Sequence, residues 1–268
     1  KKAFLGFGVA KFRFLLKVGG ELRLPPYKGS TLRGGFGVIF RRICCVNRNV
    51  DHCYPCSLKG KCAYAYIFET SPPQTSAKLR NLREIPRPFV IEPPLETKRI
   101  YHRDETLGFN LILIGKAIDY LPYFIFTFKE LGRKGLGKDR GKYELQEVDN
   151  FSGEKVYDCQ DDTIKNIESD ITFGKSLNSS PDNGRLSLSF ITPTRIKFRK
   201  DLIVEPKFQI ILRSLLHRLS ALSYFHCDRE LDVDYKALIL EAEKIETKDS
   251  RLKWIDWERY SSRQDTRM

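Results

Sequence analysis

Five of the chain's seven cysteines lie between residues 44 and 62, in the stretch CCVNRNVDHCYPCSLKGKC. Zinc takes four N or S ligands in a tetrahedron, and a CxxC turn supplies two of them at once. Cys53 and Cys56 form such a turn, Cys62 follows, and Cys45 or Cys44 supplies the fourth donor. The candidate set is Cys45, Cys53, Cys56 and Cys62, with Cys44 spare. Four thiolates leave no open position for water, so a knuckle of this kind is structural. It would pin the end of one helix against the element that follows. A thioredoxin-like redox motif fits less well, because its CxxC opens a helix after a strand. Cysteines gathered in one cluster, with no framework elsewhere, suit a reducing, cytoplasmic setting.

Around this knuckle the hydrophobic pattern predicts alternating element types. In VAKFRFLLKV (9–18), Ala10, Phe12, Phe14, Leu16 and Val18 share one face, and Lys11, Arg13 and Lys17 the other. That is a strand with one wet, basic face. Ser30 is a candidate N-cap for a helix to about Cys45, with Leu32, Phe36, Ile39 and Ile43 as its apolar stripe. Glycines 34, 35 and 37 weaken that helix and admit either a neighbouring element or a phosphate. AYAYIFET (63–70) reads as a short strand and residues 71–99 as a Pro-rich irregular stretch. FNLILIG is a strand, 117–131 a helix, and YELQEV the next strand. The order strand, helix, strand, strand, helix, strand predicts a ferredoxin-like unit within an α+β fold.

Residues 1–157 form this first domain, and the polar stretch 158–184 reads as a linker. A second unit, 185–268, opens on the strand RLSLSFITPTRIKF. The helix PKFQIILRSLLHRLSALSYFHC follows, with Phe208, Ile211, Leu212, Leu215, Leu219 and Leu222 in one stripe. The restarted strand–helix order suggests a second ferredoxin-like domain, cut short. The only Met is residue 268, and further sequence is expected beyond it.

Charge narrows the partner. The chain carries 47 Lys plus Arg against 34 Asp plus Glu, a formal net charge of +13. That excess favours a polyanion. A membrane span is not predicted, because the most apolar stretch is broken by Lys116, Asp119 and Pro122. The N-terminus lacks the apolar core of a signal peptide. GRKGLGKD (132–139) approaches a phosphate-loop motif, but Asp139 stands where the magnesium-binding hydroxyl belongs, and the helix precedes the loop. A Gly-rich loop with Arg133, Lys134, Lys138, Arg140 and Lys142 remains, suited to a sugar–phosphate backbone or to water. Arg195, Lys197 and Arg199 alternate along a strand opposite Ile196 and Phe198, a second candidate basic face.

LPPYKGSTLRGGFGVIFRRICC, the knuckle ending CAYAYIF, LGRKGLGKDRGKYEL, ITPTRIKF, LLHRLSALSYFHC and DWERYSSRQ stand in that order. Together they resemble the CRISPR-associated pre-crRNA processing endoribonucleases of the RAMP superfamily, in their four-cysteine branch, from about residue 20 to 268. The resemblance implies two ferredoxin-like domains and CRISPR repeat RNA as substrate. It implies CRISPR effector or adaptation proteins as further partners. It also implies cleavage without a catalytic metal: a base deprotonates a ribose 2′-OH, which attacks the adjacent phosphate, leaving a 2′,3′-cyclic phosphate and a 5′-OH. His52, near the first helix, and Tyr27, at its start, are the implied catalytic pair. Lys28 and Arg33 on the same segment are RNA-binding candidates. His226, in SYFHC, is either a third catalytic candidate or a satisfied buried histidine in phase with the apolar stripe. A non-catalytic RAMP subunit that binds RNA within an effector complex is the alternative. A zinc-knuckle regulator of duplex DNA lacks a recognition helix.

Overall fold

The computed structural model describes residues 6–47, 52–70, 85–165 and 184–255, with the backbone of residues 260–261 and 266–267. In chain order the elements are β1 (Val9–Val18), β2 (Leu22–Arg23), α1 (Gly29–Cys44), α2 (Ala63–Ile67), β3 (Phe89–Glu92), β4 (Ile100–Tyr101) and β5 (Thr106–Ile114). A 3₁₀ turn at Gly115–Tyr120 leads into α3 (Leu121–Lys134). Next come β6 (Tyr143–Asn150), β7 (Lys155–Asp158), β8 (Thr163–Ile164), β9 (Lys197–Phe198) and β10 (Asp201–Leu202). The chain continues through α4 (Phe208–His226), α5 (Tyr235–Glu243), β11 (Tyr260–Ser261) and β12 (Thr266–Arg267). No helix among the described residues is long and apolar enough to cross a membrane.

One sheet organises the first part of the chain, in the order β3-β5-β1-β6-β7-β8, with every pairing antiparallel. Its first four strands and the helices α1 and α3 have the ferredoxin-like connection. The expected element order is met, but its second strand is FVIE (89–92), out of the Pro-rich stretch. AYAYIFET is instead mostly helical. Its alternation of Ala and Tyr imitates a strand, yet Tyr64, Ile67 and Phe68 fall at helical spacing and Tyr64 stacks on Phe68 at 5.6 Å. The expected boundary at residue 157 also shifts, because Asp158, Thr163 and Ile164 belong to the sheet.

Alternation in β1 works as expected. Phe12, Phe14, Leu16 and Val18 are buried, and Phe14 lies opposite Phe109 in the register with β5. Above them Phe36 of α1 lies parallel to Phe124 of α3 at 4.7 Å and within 5.6 Å of Phe40, Phe89 and Phe128. The other face of β1 is wet, but it is not a bare basic surface. Lys11 pairs with Glu92 at 2.7 Å, Lys17 pairs with Asp104 at 3.0 Å, and Arg13 stands opposite Asp149. Carboxylates on neighbouring strands and on the turn before β5 balance the cations that the one-strand pattern leaves unmatched.

Two of the α1 glycines serve packing. A Cβ on Gly37 would lie 2.3 Å from the Phe68 ring, and one on Gly35 would lie 3.0 Å from Leu131. Gly34 has nothing within 4 Å. The helix starts at Gly29, one residue before the expected cap Ser30, with Lys28 at the N-cap position.

Beyond residue 184, α4 packs on the sheet face opposite α1 and α3. Leu219 and Leu222 meet Phe7, Val9, Ile112 and Ile114, with Leu231 completing the cluster. Leu222 follows the predicted stripe, while Leu215 is exposed and Leu216 is buried in its place. Only Lys197–Phe198 of the expected strand 185–198 is in a ladder, a hairpin with β10. Among the described residues this region shows two helices and two-residue strand pairs, not a second four-stranded sheet.

Candidate nucleic-acid interface

The Gly-rich loop closes between α3 and β6. Gly135 and Gly137 take φ of 93° and 78°, and Leu136 and Gly141 bridge the loop with paired backbone hydrogen bonds of 2.9 and 3.0 Å. The loop packs tightly on the chain around β2: a Cβ on Gly137 would lie 2.6 Å from the Arg23 carbonyl oxygen, and one on Gly141 would lie 2.6 Å from that of Glu21. These glycines therefore admit neighbouring backbone. The side chains of Arg133, Lys134, Lys138, Arg140 and Lys142 remain exposed. Arg133 pairs with Glu130 at 2.6 Å, and Lys142 donates to the Arg133 carbonyl. No described carboxylate pairs with Lys134, Lys138 or Arg140.

A second basic surface surrounds the β9–β10 hairpin. Its two-residue turn is Arg199-Lys200, with φ of 51° and 78°. Positive φ at both central residues fits strand twist, but usually recruits Asn-Gly. Arg195, Lys197, Arg199 and Lys200 are exposed, and no described carboxylate pairs with them. Arg199 is thus at the turn, not on the expected strand face. Phe198, expected on the apolar side, holds two guanidiniums near its ring: Arg199 at 5.3 Å and Arg213 of α4 at 5.7 Å. Sequence reasoning missed Phe198, Lys200 and Arg213 as members of one surface. The available signal was FRKD, where alternation stops at two adjacent cations.

The start of α1 departs from expectation. Lys28 is fully buried. Its ammonium donates to the Glu96 carbonyl at 2.8 Å and the Pro26 carbonyl at 3.3 Å, 5.7 Å from the centre of the Tyr101 ring. Burial lowers its pKa, with Glu96 opposing. Lys28 ties the loop before α1 to the loop before β4 and presents no charge to a ligand. Arg33 is exposed, over the Phe68 and Phe89 rings at 5.5 and 5.6 Å. Tyr27 is half-buried, its hydroxyl folded towards Gly29.

The two candidate histidines have opposite environments. His52 is exposed. His226 is fully buried at the end of α4. Its Nε2 lies 2.9 Å from the Pro86 carbonyl, which can only accept, so Nε2 carries the hydrogen. Nδ1 then accepts from the Tyr66 hydroxyl at 3.2 Å. Burial pushes the imidazole down to about 4, so it is neutral at physiological pH. Opposite its backbone, Gly115 has φ of 56°, and a Cβ there would lie 2.0 Å from the His226 carbonyl oxygen. Both ring nitrogens are satisfied and neither reaches solvent, which removes His226 from the set of accessible acids and bases.

The candidate cysteines lie at the end of α1 and in the loop that follows it. Burial, then Cys62 and Cys45, pushes the Cys44 thiol up to about 12. Burial, then Cys62, Cys45 and Cys56, pushes Cys53 up to about 11, with Arg41 opposing. Cys62, Cys45 and Cys56 thus lie within electrostatic reach of Cys53, as does the Arg41 cation. The soft donors fit zinc in kind and number. As they stand, no three His, Cys, Asp or Glu side chains among the described residues are drawn close enough to hold a metal ion.

Residues 188–262 match the model of the CRISPR-associated endoribonuclease Cas6, a span that includes the basic hairpin and α4. An uncharacterized protein of Archaeoglobus fulgidus is 30% identical over 181 residues, 66% of this chain and 58% of that protein. The chain therefore spans little more than half the length of that curated relative. A chain of the Csm3-Csm4 subcomplex in the type III-A CRISPR-Cas interference complex is similar at 15% identity with a TM-score of 0.36, over 54% of this chain and 78% of that one. Residues 7–169 match the model AF_1859_N, described as an N-terminal domain; they contain the whole six-stranded sheet, and the chain belongs to this family.

Proposed function

We propose that the protein binds CRISPR repeat RNA and cleaves it by attack of a ribose 2′-OH on the adjacent phosphate. The observation that carries this reading is the Cas6-model match on the segment bearing Arg195, Lys197 and Arg199, exposed and without carboxylate partners. The Gly-rich loop adds Lys134, Lys138 and Arg140 in the same condition. Such cations release counterions from a phosphate backbone and track it without reading sequence. In the cleavage step a base takes the 2′-OH proton, the new O–P bond forms, and the P–O5′ bond breaks as an acid protonates the leaving oxygen. His52 is an exposed imidazole that would serve one of these transfers, and Tyr27 would supply the hydroxyl for the other. Cys45, Cys53, Cys56 and Cys62 would hold a structural zinc.

A non-catalytic RAMP subunit within a CRISPR effector complex is the second reading. It is favoured by His226, whose ring is sealed between Tyr66 and Pro86. End-labelled repeat RNA incubated with the protein in EDTA separates the two. A specific cut leaving a cyclic phosphate, lost in His52→Ala, supports the nuclease. Retained binding without a cut supports the subunit. No binding to any repeat RNA rejects both.

A further inference from the structure

We infer that Phe198 is a stacking platform for one unpaired nucleotide, with Arg213 beside the ring and Lys197, Arg199 and Lys200 on the flanking phosphates. This rests on the RNA-binding reading and gives it a base-contacting residue.

Phe198 is half-buried and belongs to neither hydrophobic cluster of the described residues. Two guanidiniums lie against its ring, 5.3 and 5.7 Å from its centre. No described aromatic ring stacks on it. An aromatic ring lined by cations, outside a core, offers a base both a π-face and charge for its phosphates. Guanidiniums also stack on bases, so a nucleotide can join this pile or replace one of its members. The turn adds a second observation. Left-handed backbone at a non-glycine residue costs about 1–2 kcal/mol. Arg199 and Lys200 both adopt it, which keeps two long cations at the tip where Asn-Gly would be easier. An unpaired base is the fitting ligand, because bases inside an A-form duplex stack on each other and offer no open face.

The test uses single-stranded RNAs carrying 2-aminopurine at successive positions. Binding is followed by anisotropy and stacking by quenching of the 2-aminopurine emission. Wild-type protein should quench strongly at one position. Phe198→Leu should abolish that quench and weaken binding about 5- to 100-fold with an unchanged salt slope, since no charge is lost. Phe198→Trp should restore both, with quenching of its own indole emission on binding, which also covers the case of a Leu variant that folds poorly. Single-stranded RNA bound equally by wild type and Phe198→Leu, with the same quench, would overturn the platform and leave the RNA-binding reading standing. Duplex RNA bound with no 2-aminopurine quench at any position would do the same. A wild-type protein that binds no RNA would overturn both.

Discussion

At the scale of the residue, His226 joins separate stretches of chain through two hydrogen bonds. Its N–H meets the Pro86 carbonyl and its lone pair meets Tyr66, while Lys116 adds to the disfavour of a charged ring. The folded imidazole titrates at about 4, against about 6.5 when unfolded. Between those values the unfolded chain holds a proton that the folded one does not. The stabilisation from neutral His226 is therefore complete above pH 6.5 and is lost as pH falls towards 4, up to about 3 kcal/mol. Denaturant unfolding at pH 7.5 and pH 4.5 should show this loss in wild type and a smaller one in His226→Gln. Equal losses would mean that other groups set the acid limit. At neutral pH His226→Ala should cost about 2–4 kcal/mol, because Tyr66 and Pro86 lose their partner and a cavity opens.

At the scale of the element, α1 carries two glycines three residues apart with opposite expected effects. Gly34→Ala meets open space and should stabilise the helix by up to about 1 kcal/mol. Gly37→Ala pushes a methyl group to 2.3 Å from the Phe68 ring and should cost about 1–3 kcal/mol. Thermal melting of the two variants checks both signs, and matching shifts would contradict the packing described. The C-terminal end of the same helix supports a metal prediction. Protein purified without chelator should contain zinc, keep it in Cys44→Ser, and lose it with a lower melting temperature in Cys53→Ser. Zinc-free wild-type protein would refute the knuckle.

These elements also show where sequence patterns stop. Period-two alternation located β1, β5 and β6 because each buries one face on the helices. The same cue misread AYAYIFET, since Ala and Tyr tolerate either period and only contact with Phe36 and Phe40 of α1 decides. FVIE lay hidden among prolines, and its register against Leu111 and Leu113 is information from a distant strand. Lys28 defeated charge reasoning in the same way: its partners are carbonyls at residues 26 and 96, so its composition resembles that of a surface lysine. The cation loops were legible because exposure is the default for Lys and Arg. Whether a cation is already neutralised was not, as Lys11 and Lys17 demonstrate.

At the scale of the whole molecule, a net charge of +13 counts every cation equally, but the structure sorts them. Lys11 and Lys17 pair with neighbouring carboxylates, whereas Lys134, Lys138 and Arg140 of the Gly-rich loop and the cations of the β9–β10 hairpin have no such partner among the described residues. Only the second group should release counterions fully on meeting RNA. For single strands, log K falls with log salt by about 0.7 per phosphate contacted. Replacing Lys134, Lys138 and Arg140 together with Gln should therefore flatten the slope by about 2, and replacing Arg195, Lys197 and Arg199 by about 2 again. If one RNA strand runs over both surfaces, the sixfold variant flattens it by about 4. If the surfaces bind separate molecules, either triple variant leaves a high-affinity phase with the slope of the untouched site. Lys11→Gln is the control: its charge is already paired with Glu92, so the slope should barely move. A large change there, with none from the two triples, would place the RNA on the open sheet face instead.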